Sequence, residues 1–302
     1  MHDELWTTTR QTSLRLRAYE ASSGEGGLPT GEAPTIVALH GLVAGTDGIV
    51  AACGGDDPYA RLAGHGCRVL TLDWPGHGRS GGQRGHLPYR LAMDAAAAAV
   101  DVAQQRWGGP IALFGAGLGG ILSVYAAIED RRIGAVAAAS VLDLRDVAPV
   151  LGRSRRAATL PVAARAAGVL PPRAARRIRV PLSGVLAGRD LSTDPVRRRL
   201  LLRHPQAVRR ATLAGLASIF ARPDDKPDIR ALGVPLLAAV GTEDAVVPES
   251  AVRAFTQAIG AHAQPWVLPG AGHDLLVGHH RALVPAVAAF VRDHVGASDA
   301  AG

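Results

Sequence analysis

The chain of 302 residues is too long for a disulfide-stapled miniprotein and suits one large domain, or a core with an insertion. With 48% hydrophobic and 20% charged residues it is neither disordered nor collagen-like. Its formal charge is +7, but residues 145–210 hold sixteen arginines against Asp146, Asp190 and Asp194, a net +13 that leaves −6 elsewhere. Only one basic residue is a lysine, Lys226, and aromatics are 4%. With no interleaved basic and aromatic stretch, nucleic acid is not an expected partner. The start, Met1-His2-Asp3-Glu4, is polar, and no apolar run reaches the roughly 18–20 residues of a membrane span. Cys53 and Cys67 make neither a metal clip nor a disulfide scaffold. The expected setting is a reducing cytoplasm.

Residues 14–19 alternate apolar with polar side chains and predict an antiparallel edge strand, followed by a Gly/Pro-rich loop over 22–34. Apolar runs at 35–39, 68–72, 110–114, 133–137, 235–240 and 265–268 read as buried strands. Helices fit 88–106, 118–129, 249–260 and 281–295. This alternation predicts an α/β architecture, a doubly wound, mostly parallel sheet covered on both faces. Over 143–230 the rhythm stops in an Arg-rich stretch broken by Pro161, Pro171, Pro172, Pro181 and Pro195, and a mainly helical cap is expected there. The core is then 1–142 and 231–295, with 296–302 a frayed tail.

Open parallel sheets bind ligands beyond the carboxyl ends of their strands, and the polar and glycine residues fall there. In order come His40-Gly41-Leu42, Asp73-Trp74-Pro75-Gly76-His77-Gly78-Arg79-Ser80-Gly81-Gly82 and Gly115-Ala116-Gly117-Leu118-Gly119-Gly120. Later come Gly241-Thr242-Glu243-Asp244 and Pro269-Gly270-Ala271-Gly272-His273.

This ordered set resembles the α/β-hydrolase family, and within it the monoacylglycerol lipase and lysophospholipase-like branch, with many bacterial proteins named for a serine aminopeptidase domain. The resemblance spans about 35–295 and is looser in the cap. It implies the chain order nucleophile, acid, histidine at position 117, Asp244 and His273. It also implies an oxyanion hole built from the amides of Leu42 and Leu118.

Position 117 departs from the pattern. The elbow should read G-x-S-x-G and carries glycine, which cannot form an acyl-enzyme. Ser80 sits in a literal Gly78-Arg79-Ser80-Gly81-Gly82, but in a loop; Ser123 lies almost two turns into the following helix; Cys53 is a thiol in the loop after His40-Gly41. Gly115-x-Gly117-x-x-Gly120 also spells a dinucleotide fingerprint, yet the next strand ends in Ala137-Ala138-Ala139-Ser140 without its acidic residue. Loss of the serine is structurally easy, because glycine freely adopts a backbone that strains other residues by about 1–3 kcal/mol.

The sequence thus predicts an enzyme without a serine nucleophile, cofactor or metal, with His273 and Asp244 as general base. Its substrate would be a hydrophobic acyl, ester or lactone compound, attacked by activated water or cyclised, eliminated or isomerised. The alternative is an inactive pseudo-hydrolase that binds a ligand or partner. Asp143 is the rival acid, His40 and His77 read as loop-packing residues, and His279 and His280 as solvated helix-start residues. The arginines at 153–156, 176–179 and 197–199 are either a solvated face or a surface for an anionic headgroup, a phosphate or an acidic carrier protein.

Overall fold

The computed structural model describes residues 2–9, 12–22, 33–147, 170–184 and 188–295. Its strands are β1 (Asp3–Thr8), β2 (Ser13–Tyr19), β3 (Thr35–Leu39), β4 (Arg68–Leu72), β5 (Ile111–Ala116), β6 (Ile133–Ala139), β7 (Arg179–Pro181), β8 (Arg210–Thr212), β9 (Leu236–Gly241) and β10 (Ala263–Leu268). The helices before β6 are α1 (Thr46–Ala52), α2 (Pro58–Gly64), α3 (Tyr89–Trp107) and α4 (Leu118–Glu129). Those between β6 and β9 are α5 (Pro172–Arg177), α6 (Gly188–Leu191), α7 (Pro195–Arg203) and α8 (Leu213–Phe220), and α9 (Glu249–Ile259), α10 (Leu275–Gly278) and α11 (His280–Val295) follow β9.

Eight strands form one sheet in the order β1-β2-β4-β3-β5-β6-β9-β10. From β4 to β10 neighbours run parallel, while β2 is antiparallel to β4 and β1 to β2. Successive side chains of a strand point to opposite faces, and here both faces are apolar. Val37, Leu39, Leu113 and Leu236 pack with α3, α4 and α9, whereas Ile36, Ala38, Phe114 and Leu237 pack with α1, α2 and α11. The sheet is therefore doubly wound, with its core split into two layers. Among the described residues no helix is long and apolar enough to cross a membrane.

Two expectations need correction. Residues 14–19 are not an edge strand, because β1 covers them. The polar positions of β2 are arginines closed off by carboxylates: buried Arg15 lies 3.4 Å from Asp73, 3.3 Å from Asp47 and 3.6 Å from Glu4, and Arg17 pairs with Asp47. Alternation here marks a buried ion cluster rather than a solvated face. The region expected to be mainly helical also holds a two-stranded antiparallel ribbon, β7 with β8. Residues 148–169, residues 23–32 of the loop expected over 22–34, and the expected tail at 296–302 lie outside the described residues.

Candidate active site

β5 runs into Gly117, and α4 begins at the next residue. Gly117 has φ 56° and ψ −125°, in the left-handed half of the map that side chains avoid. The following glycine, Gly119, lets α4 press onto the sheet: a Cβ there would lie 2.0 Å from the carbonyl oxygen of Leu39. The glycines of the motif thus serve strand–helix contact and a sharp turn. Among the described residues, and apart from its two chain neighbours, a Cβ placed on Gly117 would meet a single atom within 4 Å, Nε2 of His273 at 3.5 Å.

His273 and Asp244 come from the loops after β10 and β9. Nδ1 of His273 lies 3.0 and 3.1 Å from the two carboxylate oxygens of Asp244. Oδ1 of Asp244 also accepts the N–H groups of Val246 and Val247, both at 2.8 Å, and Oδ2 accepts the hydroxyl of Ser140 at 2.7 Å. A carboxylate acceptor fixes the imidazole with its proton on Nδ1, leaving Nε2 as the basic atom facing Gly117. Burial pushes the Asp244 carboxyl up, but the neighbouring His273 imidazole and the donors around it hold it below its ordinary value. Burial alone would depress His273; the carboxylate of Asp244, with Asp274 and Asp190 behind it, raises it instead. The His273 side chain is 13% exposed.

Sequence reasoning missed Ser140. Fully buried at the end of β6, it is the one non-glycine residue with positive φ (58°) among the described residues. Its N–H continues the sheet to Ala239, and the carbonyl of the preceding Ala139 accepts the N–H of Gly117. One bend thus ties the acid to the elbow. The sequence held no signal for it beyond a serine just past a strand.

Leu42 and Leu118 both line the cavity beside Gly117, and among the described residues neither backbone N–H has an acceptor within the protein. Leu118 N–H is free because it opens α4. Leu42 N–H is aimed by His40: the Trp74 N–H donates to Nε2 of His40, so Nδ1 carries the proton and donates to the Gly41 carbonyl at 2.7 Å. In a trans peptide the Leu42 N–H then points the opposite way. His77 faces the carbonyls of Pro75 and Leu42, and burial with the adjacent His40 pushes it down to about 3. Both histidines are buried, neutral braces of the loop.

The remaining candidates lie apart from His273. Ser80 donates to the Asp73 carbonyl and accepts the Arg15 N–H, and Ser123 bonds back to the Gly119 carbonyl. Cys53 faces the carbonyls of Leu276 and Val277, and burial pushes its thiol up to about 12, so it is not a ready nucleophile. Asp143 accepts the hydroxyl of Tyr125 instead of facing the histidine. Contrary to expectation His280 is not solvated: it is buried, with Nε2 3.1 Å from Asp56.

The convergence of Gly117, His273 and the two free amides opens onto a cavity of about 190 Å³. Its walls are mostly apolar, from Ile121 and Leu142 to Leu201 and Phe220 of helices α7 and α8, with Asp190 and Asp274 as acidic members. A family model described as serine aminopeptidase, S33 matches residues 35–279. The chain belongs to this hydrolase family. It has the α/β-hydrolase fold, and solved structures align over nearly its whole length.

Monoacylglycerol lipase from Paleococcus ferrophilus is 22% identical, with a TM-score of 0.67 over 91% of this chain and 98% of the lipase. A soluble variant of monoglyceride lipase from Saccharomyces cerevisiae, in complex with a substrate analog, is 14% identical, with a TM-score of 0.76 over 97% of this chain and 96% of that one. The enol-lactonase from Burkholderia xenovorans LB400 is 22% identical, with a TM-score of 0.62 over 95% and 99%. At these identities the likeness concerns the fold, and no curated protein matches the sequence.

Proposed function

We propose that the protein is an acyl-processing enzyme in which His273, oriented by Asp244, is the general base and the amides of Leu42 and Leu118 form the oxyanion hole. The nucleophile comes from outside the chain. The observation that carries this reading is the 3.5 Å between Nε2 of His273 and the place where a side chain on Gly117 would begin, so a base faces an open position beside two free donors. A water there loses its proton to Nε2 and attacks the acyl carbon. The oxyanion rests on the two amides, and the leaving alkoxide recovers the proton from Nε2. The same base serves a cyclisation, elimination or isomerisation that begins with proton abstraction.

A hydrophobic ester or lactone suits the apolar cavity, and the neighbours include lipases and an enol-lactonase. Without a covalent step the expected rates are modest; a triad stripped of its nucleophile retains about 10³–10⁴ over water. The test is a screen of acyl esters and lactones with no added metal or nucleotide. Turnover that His273→Ala abolishes supports the reading, and turnover that survives the substitution overturns it.

The second reading, a pseudo-hydrolase that only binds, is favoured by the bare Gly117 itself. It predicts no turnover, and ligand binding that His273→Ala leaves unchanged. Exposed arginines of the cap, Arg176, Arg177 and Arg199, give that face the sign to attract an anionic headgroup or an acidic carrier; affinity that falls with salt would support such a partner. A cytoplasmic setting is part of the proposal under either reading and is supported by the free thiols of Cys53 and Cys67.

A further inference from the structure

We propose that the open place at Gly117 is an acceptor subsite for a small primary alcohol, so that the protein transfers acyl groups to hydroxymethyl compounds in preference to water. The inference rests on His273 acting as base and adds the identity of the nucleophile. The missing serine side chain is itself a hydroxymethyl group. At Gly117 its carbon would stand 3.5 Å from Nε2 of His273, an ordinary contact, with nothing else within 4 Å among the described residues apart from the two chain neighbours. A hydroxyl one bond further comes within the 2.6–3.2 Å at which a base can take its proton.

The surroundings favour alcohol over water. A buried water needs two to four polar partners; once the acyl oxygen occupies the Leu42 and Leu118 amides, Nε2 of His273 is the polar atom left facing the position, and the lining around it is mostly apolar, with Ala116, Leu118, Ile121 and Leu142 among its members. An alcohol uses Nε2 for its one proton and extends its alkyl chain into the apolar cavity. The acidic members Asp190 and Asp274 disfavour an anionic acceptor and leave a neutral one unaffected. In the transfer, Nε2 takes the hydroxyl proton and the alcohol oxygen bonds to the acyl carbon. The tetrahedral oxyanion sits on the Leu42 and Leu118 amides, the bond to the leaving alkoxide breaks, and that alkoxide takes the proton from Nε2. One ester and one alcohol give another ester and another alcohol, with no covalent enzyme and no further reactant.

The test uses p-nitrophenyl hexanoate as acyl donor in water containing methanol, ethanol or 1-propanol at equal molarity, with alkyl hexanoate and hexanoic acid measured by mass spectrometry. Relative to imidazole-catalysed solvolysis of the same mixtures, the ester-to-acid ratio should rise by about fourfold for each added methylene that the wall accommodates. Ester formation should also saturate with alcohol concentration. Gly117→Ala, which fills the place, should return the ratio to that of imidazole. A wild-type ratio equal to imidazole's, with linear dependence on alcohol, would overturn the proposal while leaving the base reading intact. If the donor is not turned over at all, the base reading fails, and ethanol titration of the His273 ring carbon resonance decides the subsite. A saturable shift that Gly117→Ala removes supports it, and a non-saturable one overturns it.

Discussion

The two arms of the site differ in what holds them. The histidine arm is fastened by side chains: Asp244 takes donors from His273, Ser140, Val246 and Val247. The elbow arm is fastened by backbone alone, through the close contact of Gly119 with Leu39 and the N–H of Gly117 on the Ala139 carbonyl. Deleting a side chain from the first arm would orphan buried polar groups, whereas the second keeps its turn with no side chain at position 117. The chemistry of an elbow and its shape are therefore separable, and here the shape is present without the hydroxyl.

Substitutions in each arm sharpen this contrast. The largest effect is expected for His273→Ala, which should reduce kcat/KM on any ester found by about 10²–10⁴ or abolish turnover, with a modest fall in thermal midpoint, because buried Asp244 loses one donor and keeps those of Ser140, Val246 and Val247. Asp244→Asn should also damage turnover strongly, by up to about 10⁴ as in triads, through loss of the negative partner and the favoured tautomer. Gly117→Ser should work in the opposite direction. A fluorophosphonate reagent should label the variant and not the natural protein, and the labelled peptide should contain position 117. The same variant should lose about 1–3 kcal/mol in a denaturant titration, since any side chain at φ 56° is strained. Labelling of the natural protein at Ser80 or Cys53 would break the comparison outright.

Smaller effects follow from titration. The His273 value is raised, so the stability its imidazolium supplies is fully present below 6.5 and is lost as pH rises through the higher folded value. Catalysis needs the neutral ring, so kcat/KM should climb with an apparent pKa above 6.5 in a pH–rate profile. Asp244 has the reverse sign: its value is lowered, and its contribution is lost as pH falls through the folded value. Ser140→Ala removes one donor from that carboxylate, a hydrogen bond to a charged group worth about 1.5–3 kcal/mol. The acid-unfolding midpoint should move up, and an unchanged midpoint would remove Ser140 from the histidine arm.

The central strands were legible because each is a short, mostly apolar run followed by glycine or a polar residue, as at 35–39 and 68–72. Helix α4 was placed to the residue, since its start follows the glycine motif directly. β1 was missed because Asp3-Glu4-Leu5-Trp6-Thr7-Thr8 lacks a second apolar face, being an edge strand. α2 was missed although its signal is local: Asp57 accepts the N–H groups of Tyr59 and Ala60, and Pro58 opens the helix. Within the site, the convergence of Asp244 with His273 could be anticipated from motif order. The hydroxyl of Ser140 could not, because a one-residue reversal of φ at a strand end has no sequence signature when the residue is not glycine.

The conformation of Gly117 also has a handedness. Its φ of 56° and ψ of −125° are close to the mirror image of the extended polyproline conformation, about −75° and +145°, which L-residues occupy without strain. The two hydrogens on its α-carbon are therefore not equivalent. Replacing the one that faces His273 gives an L-residue held against its preference, and replacing the other gives a D-residue at ease but turned away from the base. D-alanine introduced at this position by chemical ligation should stabilise the fold where L-alanine strains it, the reverse of what the two would do in the helix that follows. Among genetically encoded residues only glycine shares that comfort, so any nucleophile that translation could place at this turn would be strained from the start.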